Sequence, residues 1–316
     1  MKYFFSLIVL LVYPSLFYGQ DQVSFYVAGH ADDWQLFMSK NIIEDLSFAK
    51  IVIITVTAGD AGHGNLSYGN GKIPYFLARE KGAVYSSKFA YDMIGGEVND
   101  VPQCKMVLVN GHSIAKYTYK DHIVNYFLRL PDGFHSGEGA PSTGNQSIQK
   151  LKEGKLEKIT AVDNSTVYKG WSDLTLTLKS IIIDEKGSDE QVWMNTPSSD
   201  HKFNEGDHSD HYTSSLLVQD AVRDLQWVGI VSWMHYRTRK LQGNLSVAEL
   251  ENATALFTAY TWGLIENGYI TSFDSAHRRF LPGQYPLIIK RPSGSSLAGQ
   301  ITGMIQSVKR KIMPRK

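Results

Sequence analysis

The chain has 316 residues, 43% hydrophobic and 20% charged, which excludes both a disordered polymer and a multispan membrane protein. Its 32 basic and 31 acidic side chains leave a formal net charge of +1, so nothing global draws it to nucleic acid or anionic lipid. A single cysteine, Cys104, excludes an internal disulfide framework and any cysteine-rich zinc module, so a metal site would have to use histidine and carboxylate.

In chain order, Lys2 precedes an apolar run from Phe4 to Phe17 that Pro14 interrupts, and the polarity changes at Tyr18-Gly19-Gln20. The run falls short of the roughly 20 residues a spanning helix needs, so residues 1–19 are read as a cleaved signal peptide, with a secreted or periplasmic product and no stable membrane insertion after cleavage. Val23 to Ala28 predicts a first strand and Trp34 to Phe48 a helix. The β-branched run Ile51 to Val56 predicts a strand buried on both faces, followed by a glycine-rich loop and a helix over Tyr75 to Asp92. Lys105 to Val109 reads as a third strand ending in Asn110-Gly111-His112, with Cys104 buried at its start. Residues 131–147 have loop chemistry throughout, as in a lid or binding loop. Helices are expected at Leu174 to Ile183, Tyr212 to Gln226 and Val247 to Asn267, and strands at Gln191 to Asn195 and Val228 to Trp233. The alternation predicts a single α/β domain over residues 20–308, with a mostly parallel sheet and helices on both faces, then a basic tail at 309–316.

Chemistry concentrates in two short segments. Gly29-His30-Ala31-Asp32-Asp33 lies between the first strand and the first helix, where open α/β sheets bind ligands. His208-Ser209-Asp210-His211 precedes a later helix. Together they offer His, Asp and His to a zinc-type site with an open position, plus a spare carboxylate and a spare imidazole. Each aspartate taken singly also fits a helix N-cap, but a cap needs no histidine.

Those two segments, with Thr57-Ala58-Gly59-Asp60-Ala61-Gly62 and Arg79-Glu80 between them, resemble the PIG-L/LmbE-like family of zinc-dependent de-N-acetylases. The likeness covers about residues 23–95, returns at 205–235 and is loose between. It implies the Rossmann-like LmbE-type fold, with Zn2+ held by His30, Asp33 and His211; Fe(II), Co(II) or Ni(II) would suit the same donors. By the same resemblance Asp32 is the general base, His208 stabilises the oxyanion and Asp210 tunes the neighbouring histidines. Arg79 and Asp60 match positions near the family's substrate pocket, with a surface helix arginine and a simple turn residue as their alternative readings. Alanine and serine stand at 31 and 209 where the family commonly has proline, and Trp34 replaces an acid, to reshape the pocket floor, to stack a sugar, or simply to be buried in the first helical turn.

The implied reaction is removal of the N-acetyl group from an N-acetylated amino sugar or glycoconjugate of the N-acetylglucosamine type. An O-acetyl esterase would use the same constellation, and a catalytically silent carbohydrate-binding protein is the non-enzymatic alternative. No nucleic-acid partner is expected, and no pattern speaks to oligomeric state. Tyr68, Tyr75, Trp171, Trp193, Tyr212 and Trp233 are candidate sugar-stacking residues, and His63 and His112 sit in loops that can line the same mouth.

Overall fold

The computed structural model describes residues 22–96 and 99–293; the segments read as signal peptide and basic tail lie outside the described residues. Gln22–Ala28 (β1), Ala49–Thr57 (β2), Ile123–Leu130 (β5), Val192–Pro197 (β8) and Val228–Trp233 (β9) pair in parallel in the order β9-β8-β1-β2-β5. Gln103–Val109 (β3) and His112–Tyr119 (β4) extend one edge antiparallel, and Pro286–Lys290 (β10) closes the other, completing an eight-stranded sheet. Ile159–Thr160 (β6) and Val167–Tyr168 (β7) form a separate short ladder.

Helices cover both faces. Asp33–Phe37 (α1), Ser39–Asp45 (α2), Tyr75–Met93 (α3) and Val247–Glu266 (α7) lie on one, and Ile148–Lys152 (α4), Gly170–Lys186 (α5) and Ser209–Ala221 (α6) on the other; Ser275–Arg278 (α8) is a single exposed turn. The β2 run shows why a two-sided strand reads as uninterrupted apolar sequence: Val52, Ile54 and Val56 enter one core, Ile51 and Ile53 the other.

The expected helix Trp34 to Phe48 is two helices with a break at Met38 (φ −135, ψ 4). Gln284 stabilises the break, accepting from Lys40 N at 3.1 Å and donating to Ser39 Oγ at 2.7 Å. Asn110-Gly111 is the two-residue turn of the β3–β4 hairpin, both residues at positive φ, which suits a type I′ turn. Because β3 is a sheet edge, Cys104 is exposed rather than buried.

Between α3 and α7 two glycines meet directly: a Cβ on Gly263 would lie 2.4 Å from Gly82 N. That close crossing sets Tyr260 beside Arg79, whose Nε donates to the Tyr260 hydroxyl at 2.8 Å. Among the described residues no helix is long and apolar enough to cross a membrane.

Candidate metal and active site

β2 and β8 flank β1, and the chain order reverses there, so the carboxyl end of β1 opens at a topological switch point. Gly29 begins the turn. Its carbonyl accepts from Thr57 N at 2.9 Å and Thr57 Oγ1 at 2.8 Å, and a Cβ there would lie 2.8 Å from His211 Cδ2, so only glycine admits the imidazole. Asp33 Oδ2 accepts from His30 N at 2.8 Å, which turns its other oxygen toward His211.

His30, Asp33 and His211 come together although two of them are 181 positions apart. His30 Nδ1 is 3.0 Å from His211 Nε2; Asp33 Oδ1 is 3.1 Å from that nitrogen and 3.9 Å from His30 Nδ1. The far nitrogen of each ring faces a carboxylate: His211 Nδ1 to Asp207 Oδ1 at 2.8 Å, His30 Nε2 to Asp210 Oδ2 at 3.3 Å. In the tautomer that puts each proton on the carboxylate-facing nitrogen, two imidazole lone pairs and a carboxylate oxygen converge. Donors sharing one ion at about 2.0–2.1 Å would stand about 3.3 Å apart in tetrahedral geometry. The observed separations bracket that value, and carboxylate-braced histidines are the usual support for a metal.

The local field has the same sense. Burial alone would lower the His30 and His211 pKa values, yet the surrounding carboxylates raise both, Asp210 and Asp33 for His30, Asp207 and Asp33 for His211. Burial opposes ionisation of Asp33, but His211 and His30 hold it well below the usual carboxylate range. The cluster therefore favours positive charge between its imidazoles.

Asp32 occupies the N-cap position of α1 but makes no side-chain cap hydrogen bond. Its Oδ1 instead accepts from Arg79 Nη2 at 2.5 Å, and Arg79 is held in turn by Tyr260 and by Gly59 O at 2.8 Å. Asp32 Oδ2 has no partner among the described residues. His208, not an aspartate, caps α6: its Nδ1 accepts from Asp210 N at 3.2 Å, so a cap does use a histidine here. Burial, then the neighbouring His30 and His211, keep its imidazole neutral, with the remaining proton on Nε2 at the pocket. Asp210 is fully buried, with its Oδ2 3.3 Å from His30 Nε2.

His30, Asp32, Asp33, Arg79, Asp132 and His208 line a cavity of about 140 Å³ together with Leu36, Phe37, Tyr236, His277 and Phe280. Asp132, which comes from the 131–147 loop, was not anticipated; its Oδ1 accepts from Phe134 N at 2.8 Å and lies 3.6 Å from His208 Nε2. Asp207 and His235 were also missed. His235 follows the carboxyl end of β9, stacks on Phe37 and lies 3.3 Å from His211 Nδ1; burial and His211 push it down to about 4. Its place after a strand in a parallel sheet was the one signal in the sequence.

Several expectations fail. Of the readings of Trp34, burial in the first helical turn holds: it is 0% exposed within the core, so it neither stacks a sugar nor floors the pocket. Asp60 is buried away from the cavity lining, its carboxylate taken by the backbone N–H groups of Asp132 at 2.9 Å and Gly64 at 2.7 Å, so it joins two loops instead of touching substrate. His112 lies at the hairpin edge of the sheet, bonded to Asp173 and Thr166. Trp233 donates to Asn195, Trp171 to Asp220 and Tyr212 to Asn204 O, and Trp193 packs over Gly229, so none of these four rings lines the cavity.

No protein-family model matches the chain, and no curated protein does. Solved structures similar to it include a deacetylase from teicoplanin biosynthesis, at 12% identity over 82% of this chain and 90% of that one, with a TM-score of 0.46. N,N′-diacetylchitobiose deacetylase from Pyrococcus horikoshii shares 14% identity over 77% of this chain and 69% of its own, TM-score 0.41. The 4-carboxy-2-hydroxymuconate hydratase from Pseudomonas putida shares 10% over 82% of each chain, TM-score 0.42.

Proposed function

We propose that this chain is a metal-dependent hydrolase that removes the N-acetyl group from an N-acetylated amino sugar or glycoconjugate. The observation that carries the reading is the convergence of His30 Nδ1, His211 Nε2 and Asp33 Oδ1, 3.0 to 3.9 Å from one another, each imidazole braced from behind by a carboxylate. The family resemblance of the two motifs supports the choice of reaction, and the leader-like N-terminus supports action outside the cytoplasm. A divalent cation, zinc first among those suited to two imidazoles and a carboxylate, would be held by His30, Asp33 and His211 and would supply Lewis acidity toward the amide carbonyl and a more acidic water.

The protein's own groups complete the chemistry. Arg79 holds Asp32 Oδ1, and Asp32, which lines the cavity, takes the proton of the attacking water and returns it to the departing amine. His208 Nε2–H donates to the oxygen that gains negative charge as water adds to the carbonyl carbon. The C–N bond then breaks, giving acetate and a free amino sugar.

The test is a panel of N-acetylated and O-acetylated sugars incubated with metal-stripped and zinc-loaded protein, reading acetate and free amine. Metal-dependent amine release is expected, with Asp32→Asn lowering kcat by about 10²–10⁴-fold while metal content stays at the parent level. Release from O-acetyl substrates alone would replace the amidase by an esterase, and turnover unchanged in Asp32→Asn would remove the base assignment.

A further inference from the structure

The reacting acyl group brings one hydrocarbon substituent into the cavity, and few residues there can receive it. The apolar side chains of the lining are Leu36, Phe37 and Phe280, with the ring of Tyr236. His63, Tyr68 and Tyr75, expected at the mouth, pack on one another outside that lining. Three rings of the lining are locked together beside His211. Tyr236 stands edge-on to the His211 imidazole, centroids 5.2 Å apart at 90°, and Phe37 lies 6.4 Å from the same ring while stacking on His235 at 4.0 Å. Phe280 packs on both, 5.2 Å from Phe37 and 5.2 Å from Tyr236, the latter nearly parallel at 18°. Phe37 is fully buried and Phe280 is 6% exposed, so close packing leaves neither ring space to swing aside.

Addition of water to an amide at the cluster of His30, Asp33 and His211 requires the acyl carbonyl there, so the substituent on the carbonyl carbon lies close by. Set against the carboxylates and imidazoles of the lining, that substituent would leave polar groups unsolvated, whereas the rings beside His211 receive it without that cost. Space is short as well: the cavity holds about 140 Å³, close to the roughly 150 Å³ that takes a single benzene-sized molecule. An acetyl methyl fits; a longer chain has to displace a ring that is itself braced. We infer that Phe280, packed on Phe37 and Tyr236, closes the acyl end of the cavity and is the specificity-determining residue that confines the reacting group to acetyl, against propionyl and butyryl. Phe37 and Tyr236 lie against His211, so Phe280 is the member whose truncation leaves the imidazole's own neighbours in place. The inference rests on the hydrolase reading and adds to it the length of acyl chain accepted.

The experiment compares zinc-loaded full-length parent, Phe280→Leu and Phe280→Ala proteins in two ways: kcat/KM for amine release from N-acetyl-, N-propionyl- and N-butyrylglucosamine, and calorimetric binding of acetohydroxamate and butyrohydroxamate, which carry the same acyl substituents without needing turnover. One methylene in an apolar pocket changes selectivity roughly 10–200-fold, so the parent is expected to favour acetyl over butyryl by about 100-fold or more. Phe280→Ala should cut that ratio at least about tenfold, with Phe280→Leu in between, and should remove the parent's preference for acetohydroxamate. The ratio is read because loss of folded protein lowers both rates alike, and Phe280→Leu carries the test if Phe280→Ala does not fold. Amine release with an acetyl-to-butyryl ratio that is near one in the parent, or unchanged in the variants, overturns the role of Phe280 and leaves the reaction standing. Where no sugar releases amine, the hydroxamates decide: a preference that depends on Phe280 supports the acyl wall and removes the reaction, and its absence overturns both.

Discussion

Adjacent aspartates acquire different roles through what they face. Asp33 is tied to its own loop by His30 N and turned to His211, while Asp32, one residue earlier, meets Arg79. The histidines are sorted in the same way: a carboxylate behind His30 and His211 exposes a lone pair, whereas a backbone N–H on His208 Nδ1 exposes a proton. Asp207 is the brace the motif did not announce, and its removal gives a sharp prediction. Asp207→Asn should weaken zinc binding about 10–100-fold in competition with a chromophoric chelator; parental affinity would mean that the brace does not orient His211.

Elements deliver these side chains from the carboxyl ends of parallel strands: β1 for His30, Asp32 and Asp33, β5 for Asp132, β9 for His235, and the segment from β8 into α6 for Asp207, His208 and His211. The α3–α7 crossing works at longer range, because Arg79, which meets Asp32, also donates to Tyr260 of α7. Adding a methyl group at that crossing should be felt in both stability and function. Gly263→Ala, whose Cβ would meet Gly82 N at 2.4 Å, is expected to lower unfolding free energy in urea by about 1–3 kcal/mol. Retained stability would show that the two helices separate without cost.

Across the whole molecule, Glu185 near the end of α5 gathers three strands: Lys50 of β2 and Lys116 of β4, each at 2.6 Å, and the Tyr126 hydroxyl of β5 at 2.5 Å. Burial alone would raise its pKa, but the hydrogen bonds from Lys116, Lys50 and Tyr126 prevail and lower it. A carboxyl with a depressed folded-state pKa contributes stability that is full above the unfolded value of 4.5 and is lost as pH falls through the folded value. Unfolding midpoints measured from pH 7 downward should therefore fall below about pH 4.5, and Glu185→Gln should start lower by roughly 1–3 kcal/mol and show a shallower acid limb. An acid limb as steep as the parent's would assign it to other carboxylates.

Sequence alone determined the α/β alternation, the two-sided burial of β2 and the two His/Asp motifs, because strand and helix periods and short-range spacing are local properties. It did not disclose β5, although that strand lies beside β2 in the sheet: its Asn125 and Arg129 look surface-like until Ser87 donates to Asn125 Oδ1 and Glu80 and Asp163 pair with Arg129, from 34 to 49 positions away. For the same reason Trp34 and Asp60 read as substrate residues when one is core and the other a tie between loops. Which lone pairs converge, which aspartate meets Arg79 and which imidazole keeps its proton toward the cavity were decided only by tertiary structure. Each depends on a partner that folding brings in from a distant part of the chain, and no local pattern encodes that meeting.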